Sequence, residues 1–324
     1  VSSPAPKGLR QRRLSEISAR DLRPLLEEEC AEWGRELLWD YAEVSSAVAN
    51  GLDRRALTGR VLEDAGRPVA YCYYLLDAER AVVGAVFAAS NYRGEGLEEA
   101  LLDSVLKEAQ NAAGHDRVEC QTLFSTAVGA EEAFARAGFA SRARHYLVRD
   151  LSHPILPPDP AVRLRTLRRD DLADAARIVH DSHRGSLDAV LNMTYAAPVL
   201  CRGFVETLVL RGGCGRFCPE ASFVAEGPQG PLGILLASHL SATNGHICQV
   251  SVVPESQSHG VGTALLAAAL TALRGVGLRS ASLSVTVENS RAYTLYGRLG
   301  FHLRKPFRAH AWLRPPARLW LPSR

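Results

Sequence analysis

Three pairs of positions in this sequence repeat at nearly one interval. Arg93-x-x-Gly96 and Gln257-x-x-Gly260 lie 164 residues apart, while Phe134 and Tyr296, and Gly138 and Gly300, lie 162 apart in a chain of 324 residues. An interval of half the chain predicts an internal duplication, two copies of one α/β unit in tandem. Asp21-Leu22 and Asp171-Leu172 are 150 apart, so the second copy carries about a dozen extra residues, placed around His180 to Gly215. Between the copies, Pro154, Pro157, Pro158 and Pro160 predict a stiff extended linker over 152–160. The expected division is a disordered start over 1–8, a first domain over 9–151 and a second over 161–324.

The second copy has the sharper local pattern. Val250, Val252 and Val253 run as a strand into Pro254, which lacks a backbone donor and ends it. Gln257-Ser258-His259-Gly260-Val261-Gly262-Thr263 follows, and Ala264 to Leu273 continues as good helix formers. Glycines at a strand-to-helix junction let the backbone approach a ligand, and the free N–H groups of the first helical turn favour a phosphate. Glycine also serves turns for geometry alone. Leu278 to Val287 then reads as a strand, and Ala292, Leu295, Tyr296 and Leu299 fall on one helical face closed by Gly300.

Taken together, Gln257-x-x-Gly260-x-Gly262 and Asn289-x-x-Ala292-x-x-Leu295-Tyr296-x-x-Leu299-Gly300-Phe301 resemble the GCN5-related N-acetyltransferase (GNAT) superfamily. The resemblance implies an α/β (α+β) fold of two tandem GNAT-like domains. Each would be a mixed, mostly antiparallel sheet of six or seven strands flanked by helices, splayed where the coenzyme enters. It implies transfer of acetyl from acetyl-CoA to a primary amine by direct attack in a ternary complex, in the second domain. Gln257, Ser258, His259, Gly260, Val261, Gly262 and Thr263 would hold the pyrophosphate, with Val250, Ser251 and Val252 along the coenzyme. Asn289 would bond the pantetheine arm.

Chemistry distributes the remaining roles. The amine arrives protonated, since such amines titrate near pH ~10, and needs a base. His246 suits that task if it shares a strand face with Val250 and Val252; Asn244-Gly245 before it is a turn signal, so a solvated strand start is the other reading. His239 and Glu288 are lesser base candidates. The Val252 backbone N–H would stabilise the oxyanion, and Tyr296 would protonate the leaving thiolate, although a core aromatic fits its position equally. In the inserted segment His183, Arg184 and Tyr195, among the polar set His180, Asp181 and Asp188, are read as contacts for a small-molecule or peptide amine; a charged helix surface explains most of them equally well.

The first copy departs from the pattern. Glu98 stands in place of the last cradle glycine, Glu95 and Glu99 add negative charge, Phe134 replaces Tyr296 and Ala127 replaces Asn289. Like charge opposes a pyrophosphate, and a bare ring donates no proton. The first domain is therefore expected to be structural. A protein that binds acyl-CoA as a sensor or scaffold is the alternative to an enzyme; retention of Tyr296 argues for catalysis.

A net charge of +3 excludes a strongly basic nucleic-acid binder, and Arg304, Lys305, Arg308, Arg314 and Arg318 are read as residues alternating on two terminal strands. No apolar run reaches membrane length, and the N-terminal segment has no signal-peptide core. A cytoplasmic monomer or homodimer is expected. Seven cysteines at irregular spacing predict reduced thiols and no metal site.

Overall fold

In the computed structural model, the described residues are 8–77, 80–112, 114, 116–123 and 128–315. Val1 to Lys7, Ala127 and Arg318 lie outside them, and with them the expectations of a disordered start, of an asparagine replaced at 127 and of the last tail cation.

The first half of the chain runs β1 (Arg10–Arg13), α1 (Ala19–Leu37), α2 (Ala42–Asp53), β2 (Thr58–Asp64), β3 (Arg67–Leu76), β4 (Ala81–Ala88), α3 (Leu97–Asn111), β5 (Arg117–Gln121), α4 (Val128–Arg136) and β6 (Ala140–Asp150). The second half runs β7 (Arg163–Thr166), α5 (Leu172–His183), α6 (Leu187–Leu191), α7 (Pro198–Leu210), β8 (Arg216–Phe217), β9 (Phe223–Gly227), β10 (Gly230–His239), β11 (Asn244–Val252), α8 (Val261–Gly275), β12 (Ser280–Thr286), α9 (Ser290–Arg298) and β13 (His302–Leu313). The repeat read from sequence is repeated in structure. α3 and α8 are both 15 residues long and start 164 residues apart, each entered through a left-handed glycine, Gly96 or Gly260.

The compact units do not follow the division read at 151 and 161. One comprises Val1–Glu29, Val44–Ser141 and Arg308–Arg324; the other comprises Cys30–Glu43 and Arg142–Phe307. In the first, antiparallel β1, β2, β3 and β4 are followed by β5, parallel to β4, and β5 pairs with Ala309–Leu313 of the last strand. In the second, β7, β9, β10 and β11 are antiparallel neighbours, β12 is parallel to β11, and β6 closes the order with seven antiparallel pairs, from Ser280↔Asp150 to Thr286↔Arg144. The last strand of the first copy, β6, thus lies in the second unit from Arg142 onward, and β13 passes to the first unit from Arg308 onward. Tyr146-Leu147-Val148 is a run buried on both faces, which marks an interior strand without naming its neighbours. The expected two terminal strands are one strand, β13, that continues through Pro306. Its cations are partnered: Arg304 with the carbonyls of Arg35 and Glu36, Lys305 with Glu36, Arg308 with Glu131 and Arg314 with Asp116.

Both sheets bury apolar side chains on both faces. In the first unit Leu101, Leu102 and Val105 of α3 pack on one face, and Leu22, Leu26 and Leu52 of α1 and α2 on the other. In the second, Leu265, Leu266 and Leu270 of α8 cover one face, and Ile178, Val179 and Val205 of α5 and α7 cover the other. Among the described residues no helix is long and apolar enough to cross a membrane.

Candidate active site

A cleft of about 1050 Å³ opens in the second unit. Its mouth follows from how β11 and β12 pair. The parallel ladder covers only Asn244–His246 with Ser280–Ser282, after which the strands part. Val253 N–H donates to the Leu232 carbonyl of β10 at 2.8 Å. Alternation therefore turns the Val252 N–H away from β10, into the parted edge.

Beside that edge stands the start of α8. Gly260 is the N-cap at φ 82° and, having no side chain, leaves the N–H groups of Val261, Gly262 and Thr263 uncapped. Ser258 also adopts a left-handed φ of 66°. Gln257 braces the turn: its Nε2 donates to the Val252 carbonyl at 3.0 Å, and its Oε1 accepts from Arg291 at 3.1 Å. In the first unit Arg93 makes the same bond, Nε to the Ala88 carbonyl at 3.4 Å, again over five residues. The first residue of the repeat motif is thus a turn brace in both copies. There the first turn of α3 carries two acids, with Glu98 buried and Glu99 paired to Arg136 at 2.6 Å.

Val250, Ser251, Val252, Gln257, Ser258, Gly260, Gly262, Thr263 and Asn289 line the cleft. Two of the expected coenzyme residues do not present side chains to it. His259 is exposed and absent from the lining, and Val261 is buried in the core beneath α8. The Ser251 hydroxyl is engaged by Ser182 and Gln249, each at 2.9 Å. Asn289 caps α9 through Oδ1, which accepts from Ala292 N–H at 3.2 Å. The linker contributes a residue that sequence reading missed: an Asp159 carboxylate oxygen lies 3.9 Å from where a Cβ on Gly260 would be.

Tyr296 lines the cleft from α9 while its ring packs in the core, edge-on to Phe301. Its hydroxyl has no hydrogen-bond partner among the described residues. Burial, helped by the charge of Asp188 and opposed by that of Arg144, pushes its pKa up to about 12. It is a permanent donor at neutral pH.

His246 is the principal correction. Register between β10 and β11 passes from Leu236↔Gln249 to Ala237↔Ile247, so Cys248 is an extra residue, a β-bulge. The bulge reverses the alternation. Gly245 faces Leu273 and Leu278, and Ile247, Val250 and Val252 pack on the α8 face. His246 therefore points to the opposite face from Val250 and Val252. It is buried, bonded to Ser282 at 2.9 Å, stacked on Tyr146 and absent from the cleft lining. Burial, and then Arg144, push its pKa down to about 4. β4 carries the matching bulge at Gly84, 164 residues earlier.

In the inserted segment His183 and Tyr195 reach the cleft and stack with ring centroids 4.0 Å apart. Tyr195 donates to Gln249 Oε1 at 3.1 Å, and burial holds the imidazole of His183 below its usual pKa. Arg184 does not reach it: its side chain is 74% exposed and pairs with Asp181. Of the lesser base candidates, Glu288 lines the cleft and His239 does not. The cleft also takes Arg144 from β6 and Asp188 from α6. Sequence reading assigned Arg144 to the other copy and so could not place it here.

A layered α/β unit with a parted parallel strand pair, a glycine-capped helix start and a buried tyrosine beside it is the arrangement of an acyl-coenzyme-using transferase domain. The chain belongs to the acetyltransferase (GNAT) family, whose model matches residues 19–139 and 206–301. It is similar to the mycothiol acetyltransferase of Streptomyces bingchenggensis, 32% identical over 157 residues, covering 47% of this chain and 46% of that protein. It is also similar to that of Gordonia bronchialis, 30% identical over 250 residues, covering 68% and 76%. The chain thus spans about half the length of the Streptomyces relatives it matches. Among solved structures it resembles a GCN5-related N-acetyltransferase from Sphaerobacter thermophilus, with TM-score 0.68, 18% identity and 96% and 98% of the chains covered. A tandem GNAT protein from the clavulanic acid biosynthesis pathway gives TM-score 0.60 at 17% identity, with 95% and 99% covered. At these identities the structural likenesses concern the fold.

Proposed function

We propose that the second unit transfers an acetyl group from acetyl-coenzyme A to a primary amine in a ternary complex. The observation that carries this reading is the convergence, in one cleft, of the uncapped start of α8, the outward Val252 N–H and the Tyr296 hydroxyl. The names of the mycothiol acetyltransferase relatives agree with it.

The N–H groups of Val261, Gly262 and Thr263 bind the pyrophosphate, and Asn289 offers its amide to the pantetheine arm. The acceptor must first lose a proton. Glu288, on the cleft wall, takes this role through water, because His246 is turned away from the cleft. The amine nitrogen bonds to the thioester carbon, the oxygen becomes anionic, and the Val252 N–H stabilises it. The carbon–sulfur bond then breaks. Moving a proton fully from Tyr296 to a thiolate of pKa ~8.5 costs on the order of 5 kcal/mol. Tyr296 therefore serves as a hydrogen-bond donor to the departing sulfur; the proton lost by the attacking nitrogen ends on the thiolate through the phenol, which takes it up as it gives its own and is left protonated.

Incubating the purified chain with acetyl-coenzyme A and a panel of primary amines, with free thiol release followed, tests the reading. Amine-dependent release that falls in Tyr296→Phe supports it. Coenzyme binding without release from any amine would instead favour the acyl-CoA sensor or scaffold.

A further inference from the structure

One wall of the cleft carries two opposite charges that do not neutralise each other. Arg144 on β6 lies directly across the ladder from Thr286 on β12, so their side chains share a sheet face. Thr286 donates its hydroxyl to Asp188 Oδ1 at 2.6 Å. The cation and the carboxylate thus flank one threonine. Neither makes an ion pair among the described residues, and the Arg144 Nε is buried with no hydrogen-bond partner. What Arg144 does touch is the ring of Phe307, 5.7 Å from its guanidinium carbon, which fixes the fork without satisfying its donors. Other polar side chains of this wall are already paired, Tyr195 to Gln249 and Ser182 to Ser251.

A guanidinium with unused donors on a cleft wall is a receptor for a carboxylate, which it binds through two parallel N–H···O bonds. A carboxylate with a spare oxygen on the same wall receives an ammonium. From this pair we infer that the acetyl acceptor is a zwitterion of the amino-acid class, its free carboxylate held by Arg144 and its amine by Asp188. The inference rests on the transfer reading above and specifies its acceptor. The electrostatics agree: the charges of both residues reach His183, Tyr195 and Tyr296, so both act within the space where the amine meets the thioester. Asp188 positions the ammonium, and the proton leaves by the route already described.

The test is binding of the common amino acids, their amides and their matched decarboxylated amines to the full chain loaded with coenzyme A, measured by calorimetry, with acetyl transfer measured in parallel. At least one amino acid is expected to bind about 30-fold or more tightly than its amide, the range of a charged hydrogen-bonded pair. Arg144→Met should erase that preference and Arg144→Lys restore part of it, while Asp188→Asn weakens amino acid and amine together. Unchanged coenzyme binding and melting temperature certify the fold of each variant. Equal binding of acid and amide, a preference that survives Arg144→Met, or no binding by any member of the panel would overturn the inference. Zwitterion binding without transfer would remove the transfer reading and leave this site standing; transfer only to amines that lack a carboxylate would do the reverse.

Discussion

Phe134 stacks on His310 in the first unit, with ring centroids 3.7 Å apart and planes 9° from parallel. A bare ring is thus well accommodated at the position that Tyr296 holds in the second unit. Tyr296→Phe should leave melting temperature and coenzyme affinity nearly unchanged and lower turnover about 10-fold or more. The loss should shrink for an acyl donor with a more acidic thiol. Full turnover in the variant would return Tyr296 to the core.

The acids at the start of α3 predict one coenzyme site per chain. Glu98 and Glu99 already offset the dipole of that helix, whereas α8 has no acid in its first turn. Titration calorimetry should give a stoichiometry of one. Gly260→Val, at φ 82°, should cost about 1–2 kcal/mol of folding stability and weaken that site. Two sites of similar affinity would refute the empty first cradle.

Asp159 brings a negative charge close to the anion cradle. Asp159→Asn should tighten coenzyme binding by about 2- to 5-fold at low salt, with the gain fading as salt rises. An unchanged affinity would mean that the carboxylate is fully screened.

Within the inserted segment, Tyr195→Phe removes the bond to Gln249 and should raise the KM for the amine while coenzyme binding holds. Arg184→Ala should be nearly neutral in both, because its guanidinium lies outside the cleft. Steady-state kinetics with coenzyme titration separates the two effects.

Two buried histidines predict acid sensitivity. Burial pushes His246 down to about 4 and His310 down to about 3. An unfolded histidine titrates near ~6.5, so between these values the unfolded chain binds more protons and stability falls as pH is lowered. The contribution is complete above pH ~6.5 and is lost progressively as pH falls toward each folded value, on the order of 3 kcal/mol for His246 and 5 kcal/mol for His310. His310→Gln should flatten the pH dependence of urea unfolding over that window. A slope equal to that of the unaltered chain would contradict the burial argument.

The duplication was legible as a repeat of short patterns at one interval, and the cradle and the tyrosine helix were legible because each depends on residues within one turn or one strand of each other. Gln257, Gly260 and Gly262 bring their own geometry wherever the strand before them ends, and Tyr296 is set by the period of its helix. The His246 assignment failed because alternation assumes an unbroken strand. The bulge at Cys248 is specified by pairing with β10, which β11 alone does not encode.

The sequence by itself determined that there are two related α/β units, and that one enters its helix with two glutamates while the other does so with none. Only the tertiary structure decided where each last strand goes. Tyr146-Leu147-Val148 is buried on both faces in any interior position, so hydrophobic patterning ranks it as a central strand and leaves its neighbours open. Pairing over seven residues with β12 resolves that choice and carries Arg144 from the first half of the sequence to the wall of the second unit's cleft.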